Sequence, residues 1–324
     1  IAKATGKPIQ LVWTREDDIQ QGPFRPASLM RIKAGVDNDG NLIAWDAARA
    51  GADISPDTFR SLLPALYSWM GDGMIEGVAN LSEWYFEKFA TDESSTEGLF
   101  EDYDHPNTRV THMTVDHELP MTFWRSVGHS YTAFAKESMI DEMAEAAGMD
   151  EVAFRLQNTQ NTPRLNNVIR VAGEHMAKMN PPEGHHLGFA AHHSFYTDVA
   201  EIAEVSVENG KIRVHKVTCV LDCGQAVNPD IVRSQIEGGV IYGLTATLHG
   251  GLNLERGAIK ESNFHDYPML RMNESPEIEV VIIDSGTKPT GVGEPGLPPI
   301  APAVANAVYR ATGQRLRSLP LQLV

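Results

Sequence analysis

The chain has 324 residues, enough for one large domain or two domains with a substantial core. Its 42% hydrophobic and 22% charged residues are those of a globular protein, and no apolar run is long enough to span a bilayer. A net charge of −16 argues against a nucleic-acid backbone as the main partner, which would need a dense Lys/Arg surface, and points to a small molecule or another protein.

Ile1 to Pro8 reads as the last turn of a helix stopped by Gly6, followed by a strand over Ile9 to Trp13. A start inside a helix, with neither methionine nor a secretory signal, marks the chain as the carboxy-terminal portion of something longer. Arg31 to Ala50 alternates in polarity around Asp37-Asn38-Asp39-Gly40, a hairpin signal. Thr58 to Met70 reads as a helix. Glu87 to Asn107 is acidic and turn-rich, and is expected to be an exposed excursion. Val110 to Val115 forms a short strand. After the loop Phe123 to Ser130 comes a helix over Tyr131 to Ala147, with Ala135, Met139, Ile140 and Met143 on one side and Gly148 as its stop. Asp150 caps the next helix, Glu151 to Gln157.

Gln157 to Glu183 reads as the connection to a second unit. There, Ala200 to Val207 and Lys211 to Leu221 flank Asn209-Gly210, a second hairpin signal. Ile231 to His249 is apolar and glycine-bearing, a closely packed helix, and Glu277 to Ile283 is a strand. Ile300 to Thr312 is apolar on nearly every side and is expected as a buried helix. The sum is an α+β arrangement of helices on mixed sheets, divided into residues 1–175 and 176–324, without an internal repeat.

Four stretches could carry chemistry. Glu294 stands in Gly291-Val292-Gly293-Glu294-Pro295-Gly296, just before the buried helix. Pro295 biases it toward an extended backbone, and the two glycines let the main chain approach something bulky. The free N–H groups of the following helix point toward this loop, so it suits a buried anionic cofactor with a carboxylate beside it. The alternative is that Glu294 is a first-turn acid that satisfies those N–H groups. Arg125-Ser126-Val127-Gly128, ahead of a helix, offers consecutive main-chain donors, either an anion cradle or a structural cap. In Leu221 to Pro229, Gln225 and Asn228 can bond the amide-like edge of a ligand, or the stretch is an ordinary strand exit with Cys223 in the core. His185-His186 and His192-His193 lack zinc spacing, because neighbours on an extended chain face opposite ways. Cys219 and Cys223 are too far apart on a strand to bridge, and two thiols cannot hold an iron–sulfur cluster.

Phe123-Trp-Arg-Ser-Val-Gly-His-Ser130, Asp222-Cys-Gly-Gln-Ala-Val-Asn-Pro229 with Gln235-Ile-Glu-Gly-Gly239, and Gly291-Val-Gly-Glu-Pro-Gly296 occur here in a fixed order. Together they resemble the large subunits of the isoquinoline 1-oxidoreductase type, within the xanthine oxidase and aldehyde oxidase family of molybdenum hydroxylases. The resemblance runs from Ile1 to Val324 and is weakest over Glu87 to His105. It implies the family's molybdopterin-binding domains and a molybdenum–molybdopterin cofactor, in bacterial members as the cytosine dinucleotide, with the metal held through the pterin and not by side chains. Glu294 matches the family's general base on a molybdenum-bound hydroxyl. Oxygen from water enters an electron-poor carbon of an N-heterocycle or an aldehyde, and electrons leave through a small partner subunit with [2Fe-2S] clusters.

The resemblance turns the main-chain N–H groups of Arg125, Ser126, Val127 and Gly128 toward the metal. It sets Gly224, Gln225, Asn228, Gln235, Val292 and Gly293 toward the cofactor and makes Phe195 and Val199 walls of a substrate pocket. The expected partners are the amino-terminal half of the large subunit and the [2Fe-2S] subunit, with no nucleic acid and no membrane span. Many relatives are exported already folded, so the periplasm is the expected compartment and the cytoplasm the alternative. Two family glycine segments that touch the pterin are absent. Val127 is small where xanthine oxidases carry a stacking aromatic, which speaks against purines. The competing reading is a non-catalytic scaffold or binding remnant of the same fold.

Overall fold

The computed structural model of the chain describes residues 1–67, 69–115 and 119–323. Two short helices, α1 (Ala2–Thr5) and α2 (Arg15–Gln21), precede the antiparallel hairpin of β1 (Ser28–Val36) and β2 (Leu42–Gly51). Gly6 takes φ 63° and ends α1, but residues 9–13 form no strand. Leu11, Val12 and Trp13 are more than half exposed. Strand propensity is expressed only against a neighbouring edge, and no sheet among the described residues supplies one here. The β1–β2 turn rests on the Asp37 carboxylate, which accepts the N–H groups of Asp39 at 3.0 Å and Asn41 at 2.8 Å.

From β2 the chain crosses over through α3 (Ser55–Leu66), α4 (Asp72–Lys88) and α5 (Glu93–Thr96) to β3 (Asn107–Thr114), which pairs parallel to β2. α3 begins before the predicted Thr58 and ends at Leu66; Ser68, within the predicted span, lies outside the described residues. The segment expected to be an exposed acidic excursion is instead partly internal, with its middle turned inward. Asp92, Ser95, Leu99, Asp102 and Tyr103 are buried. Its acids go inside because donors meet them there. Asp92 accepts the N–H groups of Ile54 (2.8 Å) and Ser55 (3.1 Å) at the start of α3, and Asp102 pairs with Lys136. The Tyr103 hydroxyl donates to Glu137 at 2.7 Å. Buried charges persist when they are paired, a condition that composition does not reveal.

Helix α6 (His129–Ala146) packs on β1, and α7 (Glu151–Gln157) follows, capped by Asp150 through the N–H groups of Val152 and Ala153. The stretch read as a plain connection contains α8 (Pro163–Met176). Its Leu165, Val168, Ile169 and Ala172 follow the i, i+3, i+4, i+7 spacing of a packed helix and bury against the second sheet. The boundary expected at residue 175 therefore falls at the end of a helix that belongs by packing to that sheet.

The second sheet runs β4 (His185–Ser194), β5 (Thr197–Glu208) and β6 (Lys211–Asp222) as antiparallel neighbours. Asn209 and Gly210 make the β5–β6 turn with φ 52° and 74°. The chain then passes through α9 (Pro229–Leu248) and the ribbon of β7 (Leu254–Glu255) and β8 (Ala258–Ile259) to β9 (Glu277–Ile283), parallel to β6. α8 covers one face, and α9 and α10 (Ile300–Thr312) cover the other. At Gly188 on β4 the backbone of α10 comes so near that a Cβ would lie 2.2 Å from the Ala303 carbonyl oxygen. That contact fixes α10 and the loop leading into it. The halves are joined by Glu137 on α6 and Arg155 on α7, wholly buried and paired at 3.0 Å, with Glu137 also accepting the Ala191 N–H of β4 at 2.9 Å.

Glu201 on β5 lies on the same face as Val199 and Ala203, with the weakly donating Cys219 thiol across the strand pair, and neither carboxyl oxygen makes a full hydrogen bond among the described residues. Burial pushes its carboxyl well above the usual range of 4.5, so it is neutral in the fold. The unfolded chain releases that proton at lower pH, so stability falls as pH rises above about 4.5. Glu201→Met is expected to stabilise the protein by about 1–3 kcal/mol, with a larger gain near pH 8 than near pH 5 in denaturant unfolding. An equal gain at both pH values would contradict the assignment.

Candidate active site

The loop before α6 and the loop before α10 meet although 168 residues separate them. The Ser126 N–H donates to Glu294 Oε2 at 2.7 Å, and the Ser126 hydroxyl donates to the Glu294 carbonyl oxygen at 2.9 Å. Arg125 Nε donates to the Gly293 carbonyl oxygen at 2.8 Å, while Nη2 reaches the Gln235 carbonyl at 3.2 Å and its side-chain oxygen at 3.3 Å. No α10 N–H is bonded to the Glu294 carboxylate among the described residues. The carboxylate is held from across the molecule and does not act as a cap of its own helix.

The clasp requires an unusual backbone. Ser126 and Val127 take φ 73° and 47°, each costing about 1–3 kcal/mol for a residue with a Cβ. A bond from Val127 N–H to the Trp124 carbonyl (2.8 Å) closes the turn. On the other side, Gly291 N–H donates to the Phe195 carbonyl at 3.2 Å, and the Thr197 hydroxyl donates to the Gly291 carbonyl at 2.6 Å. Phe195 and Tyr196 make the β4–β5 turn with φ 51° and 62°, a primed turn without glycine. Strained residues thus face each other across the site.

The remaining expected residues divide. Phe195 stands beside the site, its ring 5.6 Å from that of His129. Val199 is fully buried in the core under α9 and α10 and presents no surface to a ligand, a correction to its reading as a pocket wall. On an alternating strand, Val199 shares its orientation with the core residues Ala203 and Glu201. Val292 packs partly on that core and Gly293 is exposed. Gly224, at φ 68°, is buried where a Cβ would meet the Lys288 carbonyl oxygen at 2.2 Å, and its N–H is taken by Asp222. Asn228 is spent on capping α9, its oxygen accepting Asp230 N–H (3.1 Å) and Ile231 N–H (3.2 Å). Gln225 and Gln235 are exposed.

Four residues at the site, Glu97, Gly98, His129 and His192, were given no place there by the sequence. Glu97 Oε1 accepts the Gly128 N–H at 3.1 Å, so a second carboxylate hangs on the loop that holds Glu294. His129 Nδ1 lies 2.9 Å from His192 Nε2, while His193 turns away to Asp198. Gly98, at φ 78°, leaves room for both rings, since a Cβ would lie 2.5 Å from His129 Nδ1. Burial raises the Glu97 carboxyl to about 7, with its bond to Gly128 N–H opposing and the charges of Glu101, Asp92 and Glu294 adding. Burial, then the Lys136 charge, lowers His129 to about 4, and burial drives His192 well below its ordinary value. The signal available was Glu97-Gly98 inside a segment read only for its acidity.

Two family models described as molybdopterin cofactor-binding domains match residues 84–159 and 123–276, together more than half of the chain. The beta chain of isoquinoline 1-oxidoreductase from Brevundimonas diminuta is 34% identical over 99% of this chain and 39% of its own length. This chain belongs to the molybdopterin cofactor-binding domain family. Another relative, a subunit of nicotinate dehydrogenase from Pseudomonas putida, is 30% identical over 99% of the chain and 27% of its own length. The chain thus spans well under half the length of these curated relatives. The family fold is also that of quinoline 2-oxidoreductase from Pseudomonas putida 86, with a TM-score of 0.76 at 12% identity, covering 96% of this chain and 62% of that one. Aldehyde oxidoreductase from Desulfovibrio gigas gives 0.73 at 16% identity over 97% and 50%.

The residues present fit the family's cofactor. Ser126 and Gly128 direct main-chain N–H groups at carboxylate oxygens, acceptors like those of an oxo or phosphate group. The entry to α9 leaves Val227 (82%) and Ile231 (57%) exposed near Gln225, an uncovered apolar edge suited to a flat ring.

The histidine pair sets an acid limit on stability. His129 is neutral in the fold down to about 4 but takes up a proton at 6.5 when unfolded, so stability is lost as pH falls from about 6.5 toward about 4. Thermal unfolding across that range should fall less steeply for His129→Gln than for the wild type; parallel curves would exclude His129 as the source.

Proposed function

We propose that this chain forms the catalytic portion of a molybdenum-dependent hydroxylase that inserts water-derived oxygen at an electron-poor carbon of an N-heterocycle or an aldehyde. The observation that carries this reading is the Glu294 carboxylate, held on the Ser126 N–H in a glycine turn beside the Arg125 loop. The cofactor would be the molybdopterin cytosine dinucleotide form, and when bound it supplies the redox chemistry and the oxygen transfer.

The chain's own residues supply position and proton handling. Glu294 is the general base; the Ser126 N–H holds its Oε2 and the Ser126 hydroxyl holds its main-chain carbonyl, which leaves Oε1 for the reacting proton. Arg125 holds Gly293 in place and, with Gln235, joins the base loop to the α9 surface. The loop of residues 125–128, whose Ser126, Val127 and Gly128 N–H groups are already taken by Glu294, Trp124 and Glu97, would lie against the cofactor together with Gly224, Gln225, Gln235, Val292 and Gly293, with Asn228 acting through the cap of α9. Phe195 lines the substrate side, and Val127 puts a small side chain rather than a stacking aromatic there, in keeping with relatives named for the N-heterocycles isoquinoline and nicotinate.

Cys219 and Cys223 are buried and too few for a cluster, so in this reading the electrons leave through a [2Fe-2S] partner subunit. The other partner is the remaining portion of the large subunit. Among the described residues no helix is long and apolar enough to cross a membrane. Folded export, as in the family, makes the periplasm the compartment in this reading.

Two measurements test it. Protein purified with its natural partners should contain near-stoichiometric molybdenum; none in a fully assembled complex would support the scaffold reading. Glu294→Gln should fold and keep its molybdenum while turnover drops by about 10²-fold or more. Wild-type turnover in that variant would remove Glu294 from its assigned role.

A further inference from the structure

We propose that Glu97 is a second proton carrier of this site, taking over the proton that Glu294 abstracts and passing it to solvent, with His129, His192 and Asp102 as positioning residues behind it. The inference rests on the reading of Glu294 as the base, and adds a residue to the proton path. Both carboxylates hang on one short peptide loop, Glu294 on the Ser126 N–H (2.7 Å) and Glu97 on the Gly128 N–H (3.1 Å). Ser126 is fully buried, whereas the Glu97 side chain keeps 31% of its surface exposed. Glu97 thus has one end at the site and an opening toward water.

The string behind Glu97 is arranged to favour a proton on it. Asp102, paired with Lys136, lies 3.6 Å from His192 Nδ1, a buried nitrogen without a hydrogen-bond partner among the described residues. Its charge favours a proton on that nitrogen, which leaves His192 Nε2 as an acceptor. His129 Nδ1 then donates to it across 2.9 Å. The bare Nε2 of His129 is left facing Glu97 Oε2 at 3.7 Å, within an ångström of a hydrogen bond to a protonated carboxyl. Both rings stay neutral because they are buried beside Lys136.

The groups whose charges bear on Glu97 are Glu101 and Asp92 on its own segment and Glu294 from the α10 loop, with His129 of α6 beside it. All three carboxylates oppose its ionisation, and its titration at about 7 follows from them and from burial.

The step balances as one proton. Glu294, protonated after abstraction, gives its proton to the Glu97 carboxylate; Glu294 becomes anionic again and Glu97 neutral. Glu97 then loses the proton to water. No electron moves, and the loop keeps one negative charge until that loss.

Glu97→Gln in the assembled enzyme is the test, because the amide oxygen can still accept the Gly128 N–H while the side chain cannot titrate. The variant should lose about tenfold in kcat with KM little changed, less than the loss of a direct general base. Its pH–rate profile should lose the limb near 7. By infrared difference spectroscopy, the wild type should show a carboxylic-acid band that disappears as pH rises through about 7 and is absent in Glu97→Gln. His192→Phe, which removes the lone-pair relay, should shift that band to lower pH. A Glu97→Gln profile superimposable on the wild type, or an unchanged infrared titration, overturns the proposal. The band is read without turnover, so it still reports on Glu97 if Glu294→Gln shows that the base was misassigned.

Discussion

The site depends on a single clasp, the pair of hydrogen bonds by which Ser126 takes both the side chain and the main chain of Glu294. Neither loop has a reason of its own to adopt its shape. Ser126 and Val127 sit in the left-handed region, where a side chain is disfavoured, and such residues persist only when their surroundings over-determine them. Glu294 in turn needs a donor, since a carboxylate in a partly desolvated position without partners would neutralise or move out. Each loop removes the other's instability, and Arg125 on Gly293 makes the arrangement bidentate in effect.

A clasp of this kind needs a stiff frame, because hydrogen bonds between loops are only as exact as the elements behind them. One side is α6, anchored by Glu137 to Arg155 and to the edge of β4. The other is α10, seated on the bare backbone at Gly188 and held to α6 by Asp141, which pairs with Arg310 at 3.0 Å and with Arg315 at 2.6 Å. The helices that carry the two loops are thus cross-braced to each other as well as to the sheet. Removing one partner of a buried pair leaves an uncompensated charge, so these braces fail sharply.

The chain carries a net charge of −16, yet it places several carboxylates inside and treats each differently. Asp92 is satisfied by helix-start N–H groups, and Asp102 and Glu137 by cations. Glu201 meets only the weakly donating Cys219 thiol among the described residues and is neutral. Glu97 is intermediate, with one N–H donor and no cation at hydrogen-bond distance among the described residues, which leaves its proton loosely held. The path from burial to function runs through this difference in partners.

Local patterns in the sequence determined much of the frame. The two turns at Gly40 and Asn209-Gly210, the stop at Gly6, the cap at Asp150 and the buried run Ile300–Thr312 each rest on chemistry within a few residues, and they stand where that chemistry puts them. The motifs around Arg125, Gly224 and Glu294 were likewise visible as glycine-bearing turns before helices. Tertiary structure alone decided what those turns face. Val199 went into the core and Asn228 into a cap, Ile9 to Trp13 found no strand edge, and the acidic stretch around Glu97 turned inward. Hydrogen-bond partners 31 and 168 residues away set the environment of Glu97 and Glu294, and the energy of a buried charge depends on such partners more than on its neighbours in the chain.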